Sequence, residues 1–424
     1  MLNRTFSPEI QSIEDIQLIH PEKLTLKNGS EVFLLNAGTQ DISKIEFLFP
    51  AGSLFQDKTL QAKFTNRLLT EGAGKYSSKN ISDLVEYYGA YLYSENGPIY
   101  SEINFLSINK YHEELAPLLS AVLHEPQLSQ AELDILIQNE KQKFKIESEK
   151  VAELARRNFN ALLFGQNSTL GKIVSESDFD ALNENDLKDF FAKHYKNTPV
   201  KIVVSGKINS NIERYLNNLF DSNTSNIKNK VFEVKTNELK SQKLLCEKAN
   251  AIQSAIRIGK LLVSPQHSDF FKLKILNTVL GGYFGSRLMS NIREDKGYTY
   301  GIGSRIVAID NMSYLFIATE VGADVCQNAI NEIYFEIEKL QNELINESEL
   351  SLVKKYMLGS LLRSLDGPFA QADRFKEALL MNYDLNYFIR LVKEINAVTA
   401  SELRDLAMKY FNKNEMIEVV AGKI

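Results

Sequence analysis

The stretch Lys193-His194-Tyr195, running on to Val203-Val204-Ser205-Gly206-Lys207-Ile208, returns at the end of the chain as Lys409-Tyr410-Phe411, running on to Val419-Val420-Ala421-Gly422-Lys423-Ile424. Ile208 and Ile424 lie 216 residues apart, about half of the 424-residue chain. Just upstream, Asn185-Asp186-Leu187-Lys188-Asp189 matches Ser401-Glu402-Leu403-Arg404-Asp405 at the same spacing. Each copy reads as a polar helix start, an amphipathic helix, then a Val-rich strand ending in Gly-Lys-Ile. Two such segments, each closing one half of the chain, point to an internal duplication. Between them, residues 221–230 are polar, turn-rich and without periodicity, which is the composition of a linker. The expected organisation is an N-terminal domain over 1–215, a linker over 216–229 and a C-terminal domain over 230–424.

Working outward, each half mixes strand and helix patterns. Residues 24–35 are two alternating runs around Asn28-Gly29, a hairpin signal. Ile45-Glu46-Phe47-Leu48-Phe49 predicts a further strand, and long helical patterns occupy 113–123, 130–164 and 329–364. Strands grouped before helices in each half predict an α+β fold. The expectation is two duplicated domains, each a mostly antiparallel sheet with helices packed on one face.

Composition narrows the function classes. Hydrophobic residues make up 44% and charged residues 24%, the balance of a globular protein with a core. The net charge is -5 with both signs interspersed, so nothing marks a nucleic-acid surface. Cys246 and Cys326 cannot form a disulfide framework and read as small buried hydrophobes. The N-terminus lacks a basic stretch followed by an apolar core, and no apolar run reaches the length of a membrane span. A cytoplasmic location with no membrane partner is expected, or a periplasmic one if a leader has been trimmed away.

Familiar catalytic patterns are missing. The five histidines, His20, His112, His124, His194 and His267, include no two within one helical turn, so no zinc helix is readable from them. His112-Glu113-Glu114 comes nearest, but no second histidine follows. His194 fills the position that Tyr410 holds in the repeat. No Gly-x-Ser-x-Gly elbow exists, neither cysteine has a neighbouring histidine, and Gly281-Gly282-Tyr283-Phe284-Gly285-Ser286 lacks the Lys-Ser/Thr of a phosphate loop.

The most unusual stretch runs from Leu280 to Gly301. A glycine-broken helix end is followed by a short helix with charge in its last turn, ended by Gly297, after which a Tyr298-Thr299-Tyr300 strand is expected. Arg293 at the helix end and Tyr300 on that strand can converge, and a guanidinium beside a phenol can hydrogen-bond a peptide carbonyl or stabilise an oxyanion forming on it. Read from the residues alone, an arginine salt-bridged to neighbouring acids and a tyrosine half-buried in a sheet are the simpler explanation of the pair.

This stretch resembles the C-terminal signature of the pitrilysin/insulinase family of inverzincin metallopeptidases. There a Gly-rich turn and Ser-Arg-Leu precede Arg-Glu-x-x-Gly-x-x-Tyr; here they stand as Ser286-Arg287-Leu288 and Arg293-Glu294-Asp295-Lys296-Gly297-Tyr298-Thr299-Tyr300. The resemblance implies that Arg293 and Tyr300 are the substrate-binding, auxiliary catalytic pair. In the first half, Ala51-Gly52-Ser53, a helix and Glu71-Gly72-Ala73 resemble the segment that normally carries His-x-x-Glu-His. The motif positions fall on Lys63, Phe64, Thr65, Asn66 and Arg67, with the third ligand expected near Lys143 or Phe144 and the nearest glutamates at Glu140 and Glu147. Cations replace the imidazoles, which disfavours Zn²⁺.

The resemblance therefore implies no cofactor in this chain and no independent peptidase activity. It implies a non-catalytic subunit of a heterodimeric, processing-peptidase-like metallopeptidase. A homologous, zinc-bearing subunit would supply zinc and general base, while Arg293 and Tyr300 orient unfolded peptides. The alternatives are a non-enzymatic scaffold or assembly protein, or a peptide-binding homodimer of the same fold.

Overall fold

The structure is a computed structural model describing residues 13–196, 198–220 and 242–424. Two sheets organise it. The first holds β1 (Glu22–Thr25), β2 (Glu31–Asn36), β3 (Ile42–Phe49), β6 (Tyr91–Asn96), β7 (Ser101–Ile108) and β8 (Lys201–Gly206), in the order β1-β2-β8-β3-β7-β6. A separate two-residue hairpin pairs β4 (Gly72–Ala73) with β5 (Tyr76–Ser77). The second sheet holds β9 (Gln242–Glu247), β10 (Gln253–Leu262), β11 (Ile302–Ile309), β12 (Met312–Gly322) and β13 (Ile417–Gly422), in the order β11-β12-β10-β13-β9.

Read from β2 and from β9, the two orders correspond strand for strand. In each sheet one pair is parallel, β2 with β8 and β9 with β13, and every other pair is antiparallel. The repeated Val-rich segments are β8 and β13, next to the edge of this common order. Their shared glycine has a steric cause. Gly206 and Gly422 have φ of +107° and +130°, and a Cβ would lie 2.4 Å from the Ile42 carbonyl oxygen or 2.6 Å from Ser254 Oγ.

The hairpin expected around Asn28-Gly29 forms, with β1 antiparallel to β2 and Gly29 at φ +84°. The helices of the first half are α1 (Gln61–Leu68), α2 (Ser78–Tyr87), α3 (His112–His124), α4 (Gln130–Ser148), α5 (Val151–Phe164), α6 (Glu176–Asp180), α7 (Glu184–His194) and α8 (Ile212–Leu219). Those of the second are α9 (Phe270–Asn277), α10 (Cys326–Asn342), α11 (Glu347–Arg363), α12 (Pro368–Leu380), α13 (Asn386–Ala397) and α14 (Ala400–Tyr410). The repeated helices α7 and α14 start on the same device, capping boxes of Asn183 with Asp186 and of Thr399 with Glu402. α8 runs into the first residues of the stretch expected as a linker, and 221–229 lie outside the described residues.

The long helical patterns break where the sequence reading ran them through. The 130–164 pattern is α4 and α5, parted by an extended Lys150. The 329–364 pattern is α10 and α11, parted before Asn346, whose side chain accepts from Glu349 N. The first break has a large consequence. α5 leaves its own half and packs on the second sheet, where Ala155, Phe159, Leu163 and Phe164 meet Ala255, Ile417, Val419 and Ala421. Reciprocally, α12 crosses to the first sheet, where Ala372 and Phe375 meet Phe33, Leu35, Leu48 and Val203. The last residues of the two helices, Phe164 and Leu380, are again 216 apart. Each sheet thus carries its own helices on one face and a borrowed helix on the other.

Charge reinforces the α12 crossing. Lys376 donates to Glu46 and Glu102, both at 2.7 Å, and Lys44 lies 3.0 Å from Glu46 and from Asp373. Glu46 is fully buried. Burial alone would lower the Lys376 ammonium, but the two carboxylates outweigh it and raise it. The N-terminal segment adds a further tie, with Ile16 in the second core, Ile19 N donating to Gln371 and Asn396 donating to the Ile13 carbonyl.

This packing can be tested at two positions. Lys376→Ala leaves two carboxylates facing each other without that cation and is expected to cost about 3–5 kcal/mol in urea unfolding. A loss below about 1 kcal/mol would show that water relieves the network. His112 is buried against Tyr215 and Ser43, and burial pushes its pKa down to about 4. The unfolded chain then binds the proton more tightly, so this stability is present above about pH 6.5 and is lost as pH falls toward the folded value. The loss is roughly 3 kcal/mol, and His112→Gln is expected to flatten that part of the pH profile.

Candidate functional site

The Leu280–Gly301 stretch is shaped by close packing. Past α9 the chain turns through a π-helical segment, Thr278–Gly282, in which a Cβ on Gly281 would sit 2.6 Å from Ser304 Oγ and 2.7 Å from Ser304 N. Only glycine fits there. Leu288 is buried in the second core, and Arg287 forks onto Glu349 of α11, Nε to Oε1 at 2.8 Å and Nη2 to Oε2 at 2.9 Å. Arg287 and Leu288 therefore hold the motif to the core.

Residues Met289–Asp295 form a second π-helical segment, a wide turn often found at functional positions. Gly297, at φ +66°, reverses the chain, and Tyr298 N donates to the Ile292 carbonyl at 3.0 Å. The strand expected at Tyr298-Thr299-Tyr300 begins later, at Ile302. Thr299 explains the delay. Its hydroxyl donates to the Glu320 carbonyl (2.7 Å) and bonds Thr319 Oγ1 (2.9 Å), so side-chain bonds stand where ladder bonds would. This pins the backbone to β12 and leaves Tyr300 facing outward, 95% exposed.

Tyr300 borders a cleft of about 380 Å³ shared with Arg257, Ala318 and Glu320 of the second sheet and Ala152 of α5. Arg293 is not among the residues lining it. Its guanidinium stacks over the exposed Phe284 ring, 4.4 Å from the centroid, and makes no ion pair among the described residues. Both side chains are thus presented by one motif, Tyr300 at the cleft and Arg293 outside it.

The helix of the expected zinc motif is α1. Lys63 and Arg67 lie on its exposed face, whereas Asn66 is buried, its amide near Tyr195 Oη (3.3 Å) and the Glu102 carbonyl (3.4 Å). Lys63 Nζ sits 2.6 Å from Glu140 Oε2, and Lys143 Nζ lies 3.0 Å from Glu140 Oε1. Glu140 is therefore the carboxylate that faces the motif helix, three residues before the expected Lys143. It is one of the two glutamates, Glu140 and Glu147, that the spacing left nearest to that position. Burial would raise the Glu140 carboxyl, but the two ammonium groups hold it below its ordinary range. A lysine ammonium on the facing carboxylate, an inward asparagine and an arginine do not fit a Zn²⁺ ion. Among the described residues no group of three or more His, Cys, Asp or Glu side chains gathers in metal-binding geometry.

The remaining sequence candidates have structural roles. His194 packs on Phe190 and Phe55, and His124 Nε2 lies 2.6 Å from the Leu219 carbonyl oxygen. Cys246 and Cys326 are free, and burial pushes the Cys326 thiol up to about 11, which removes it as a nucleophile. No helix among the described residues is long and apolar enough to cross a membrane.

Residues 181–357 match the family profile described as the peptidase M16 inactive domain. Over that stretch the chain resembles the M16-type peptidases. The pitrilysin/insulinase resemblance carried by the Arg293–Tyr300 motif agrees with this. Among curated M16-type relatives, an uncharacterized zinc protease, YmxG, from Bacillus subtilis is 25% identical over 257 residues. That match spans 60% of this chain and 62% of the relative, less than two thirds of its length. A protein named as a non-peptidase homolog, from Helicobacter pylori, is 23% identical over 405 residues, 89% of each chain. Among solved structures, a peptidase M16 inactive domain from Pseudomonas fluorescens has a TM-score of 0.85 at 19% identity, covering 95% of this chain and 98% of that one. A Helicobacter pylori protease has a TM-score of 0.85 at 18% identity over 95% of this chain and 100% of that one. These two structures share the fold. The inactive-domain and non-peptidase matches, with the residues on α1, fit a non-catalytic peptidase homologue.

The α1 geometry yields a test on metal. The purified chain is expected to hold no stoichiometric zinc after dialysis against micromolar Zn²⁺, and elemental analysis finding about one zinc per chain would overturn the assignment of α1.

Proposed function

We propose that the chain is the non-catalytic subunit of a heterodimeric, processing-peptidase-like zinc metallopeptidase, binding and orienting peptides for a homologous zinc-bearing subunit. The observation that carries this reading is the presentation of Tyr300. A phenol left 95% exposed contributes almost nothing to the core, yet its backbone is fixed through Thr299 and Thr319 and its ring borders a cleft. Arg293 likewise has no carboxylate partner among the described residues, so its guanidinium is available to a ligand. Arg287, on the same motif, differs because Glu349 already takes up its guanidinium fork.

In this reading the partner's zinc activates water and its glutamate takes the proton, while Arg293 and Tyr300 hydrogen-bond the scissile carbonyl and the charge that develops on it. A scaffold or assembly role, or a peptide-binding homodimer, is the competing account, and neither requires the pair to contact a reacting group. The chain alone is expected to be inert, and mixing it with a zinc-bearing homologue is expected to restore peptide cleavage. Arg293→Ala or Tyr300→Phe is then expected to lower turnover of the mixture roughly ten- to a thousand-fold with little change in assembly. A doubly substituted chain that supports full turnover would exclude the catalytic role and favour the scaffold.

A further inference from the structure

Arg257 lies on β10 within the cleft that Tyr300 borders. Its neighbours Ile256 and Ile258 point into the second core, so alternation places Arg257 on the sheet face that α5 covers. Ala318 stands opposite Arg257 across the β10–β12 pair, Glu320 stands opposite Ala255, and Gly303 of β11 stands opposite Ala318. These small side chains leave a trough at Ala152, in the first turn of α5.

The guanidinium of Arg257 stacks on the Phe316 ring, 4.8 Å from its centroid, and makes no ion pair among the described residues. Glu153 on α5 is already held by Arg156 (2.6 and 2.7 Å) and Arg157 (2.6 Å). Burial lowers the Arg257 pKa and the nearby Arg156 charge lowers it further, against smaller opposing pulls from Tyr314 and Glu153. A half-buried cation without an ion-pair partner, held flat against an aromatic ring, is arranged to receive an anion.

We propose that Arg257 anchors a carboxylate of an extended peptide lying in this trough, with Tyr300 beside the same chain. The inference rests on the peptide-binding reading above. A planar guanidinium matches a carboxylate through two parallel hydrogen bonds. Glu320 in the same cleft repels a ligand with negative charge spread along its length, so the site suits one isolated carboxylate and not a polyanion. That carboxylate is either the peptide's C-terminus or an Asp or Glu side chain.

The test measures binding of the full chain to one labelled, unstructured, otherwise neutral peptide in three forms: free C-terminus, C-terminal amide, and amide with one internal aspartate. At least one carboxylate form is expected to bind about ten- to a hundred-fold more tightly than the plain amide, and the tighter of the two identifies the source. Arg257→Gln is expected to abolish the difference while Tyr300→Phe weakens all three forms alike. Should Arg257→Gln fail to fold by thermal melting, Arg257→Lys, which keeps the charge and loses the fork, is read in its place with a reduced difference expected. Equal binding of the three forms, or a difference that survives substitution of Arg257, overturns the anchor and leaves peptide binding standing. No binding of any form removes both.

Discussion

A sheet with apolar side chains on both faces must be covered on both, and neither half of this chain covers its own second face. Phe33, Leu35, Leu48 and Val203 wait for Ala372 and Phe375 of α12; Ala255, Ile417, Val419 and Ala421 wait for Phe159 and Phe164 of α5. Fully burying one large apolar side chain is worth about 1.5–3 kcal/mol, so the exchange ties the halves by several large contributions. The Lys376 network adds direction, since two carboxylates on the first sheet accept a cation from α12 and would reject an anion. The Tyr300 cleft is a by-product of the same exchange, opening at Ala152 in the first turn of α5, where the second sheet continues past the helix.

The duplication was legible because its residues are constrained in both copies for the same reasons. Gly206 and Gly422 avoid a clash, and Asn183 and Thr399 cap equivalent helices. The hairpin at Asn28-Gly29 was legible because the turn chemistry is local. The exchange was not, because an amphipathic helix shows which of its sides is buried and not which sheet buries it. The helix breaks at Lys150 and before Asn346 were hidden by periodicity that continues across them. The glycine-broken helix end was legible, but the delayed start of β11 depends on the Thr299 bond to Glu320, distant in sequence.

At the site, the residue types at Lys63, Asn66 and Arg67 were legible as unsuited to zinc, but the contacts they make were not. The structure places an ammonium against Glu140, so the charge a metal would have supplied is supplied by Lys63 and Lys143. A carboxylate partly shielded from water needs a cation nearby, and a lysine meets that need without an open coordination position for water. The two ammonium groups balance Glu140 between the helices without a Lewis acid. Arg257 is not legible as a site for a simpler reason: one arginine in the run Ser254–Leu262 reads as the solvent side of a strand. Only the packing of α5 and Phe316 shows that face to be half-covered.

Three arginines of the second half separate structural from available charge. Arg287 is forked onto Glu349 and ties the motif to α11. Arg293 and Arg257 each rest on an aromatic ring, Phe284 and Phe316, with no carboxylate partner among the described residues. Stacking fixes the plane of a guanidinium while leaving its N–H donors unspent. A cation used for stability is ordinarily satisfied within the fold, as Arg287 is. The other two are oriented but unsatisfied, one sharing a cleft with an exposed tyrosine whose backbone is pinned, the other seven residues before that tyrosine on the same motif. On the function proposed above, such a surface is organised around a bound peptide. A scaffold role leaves that organisation unexplained, whereas a bound peptide, with carbonyl and carboxylate oxygens as its acceptors, accounts for both.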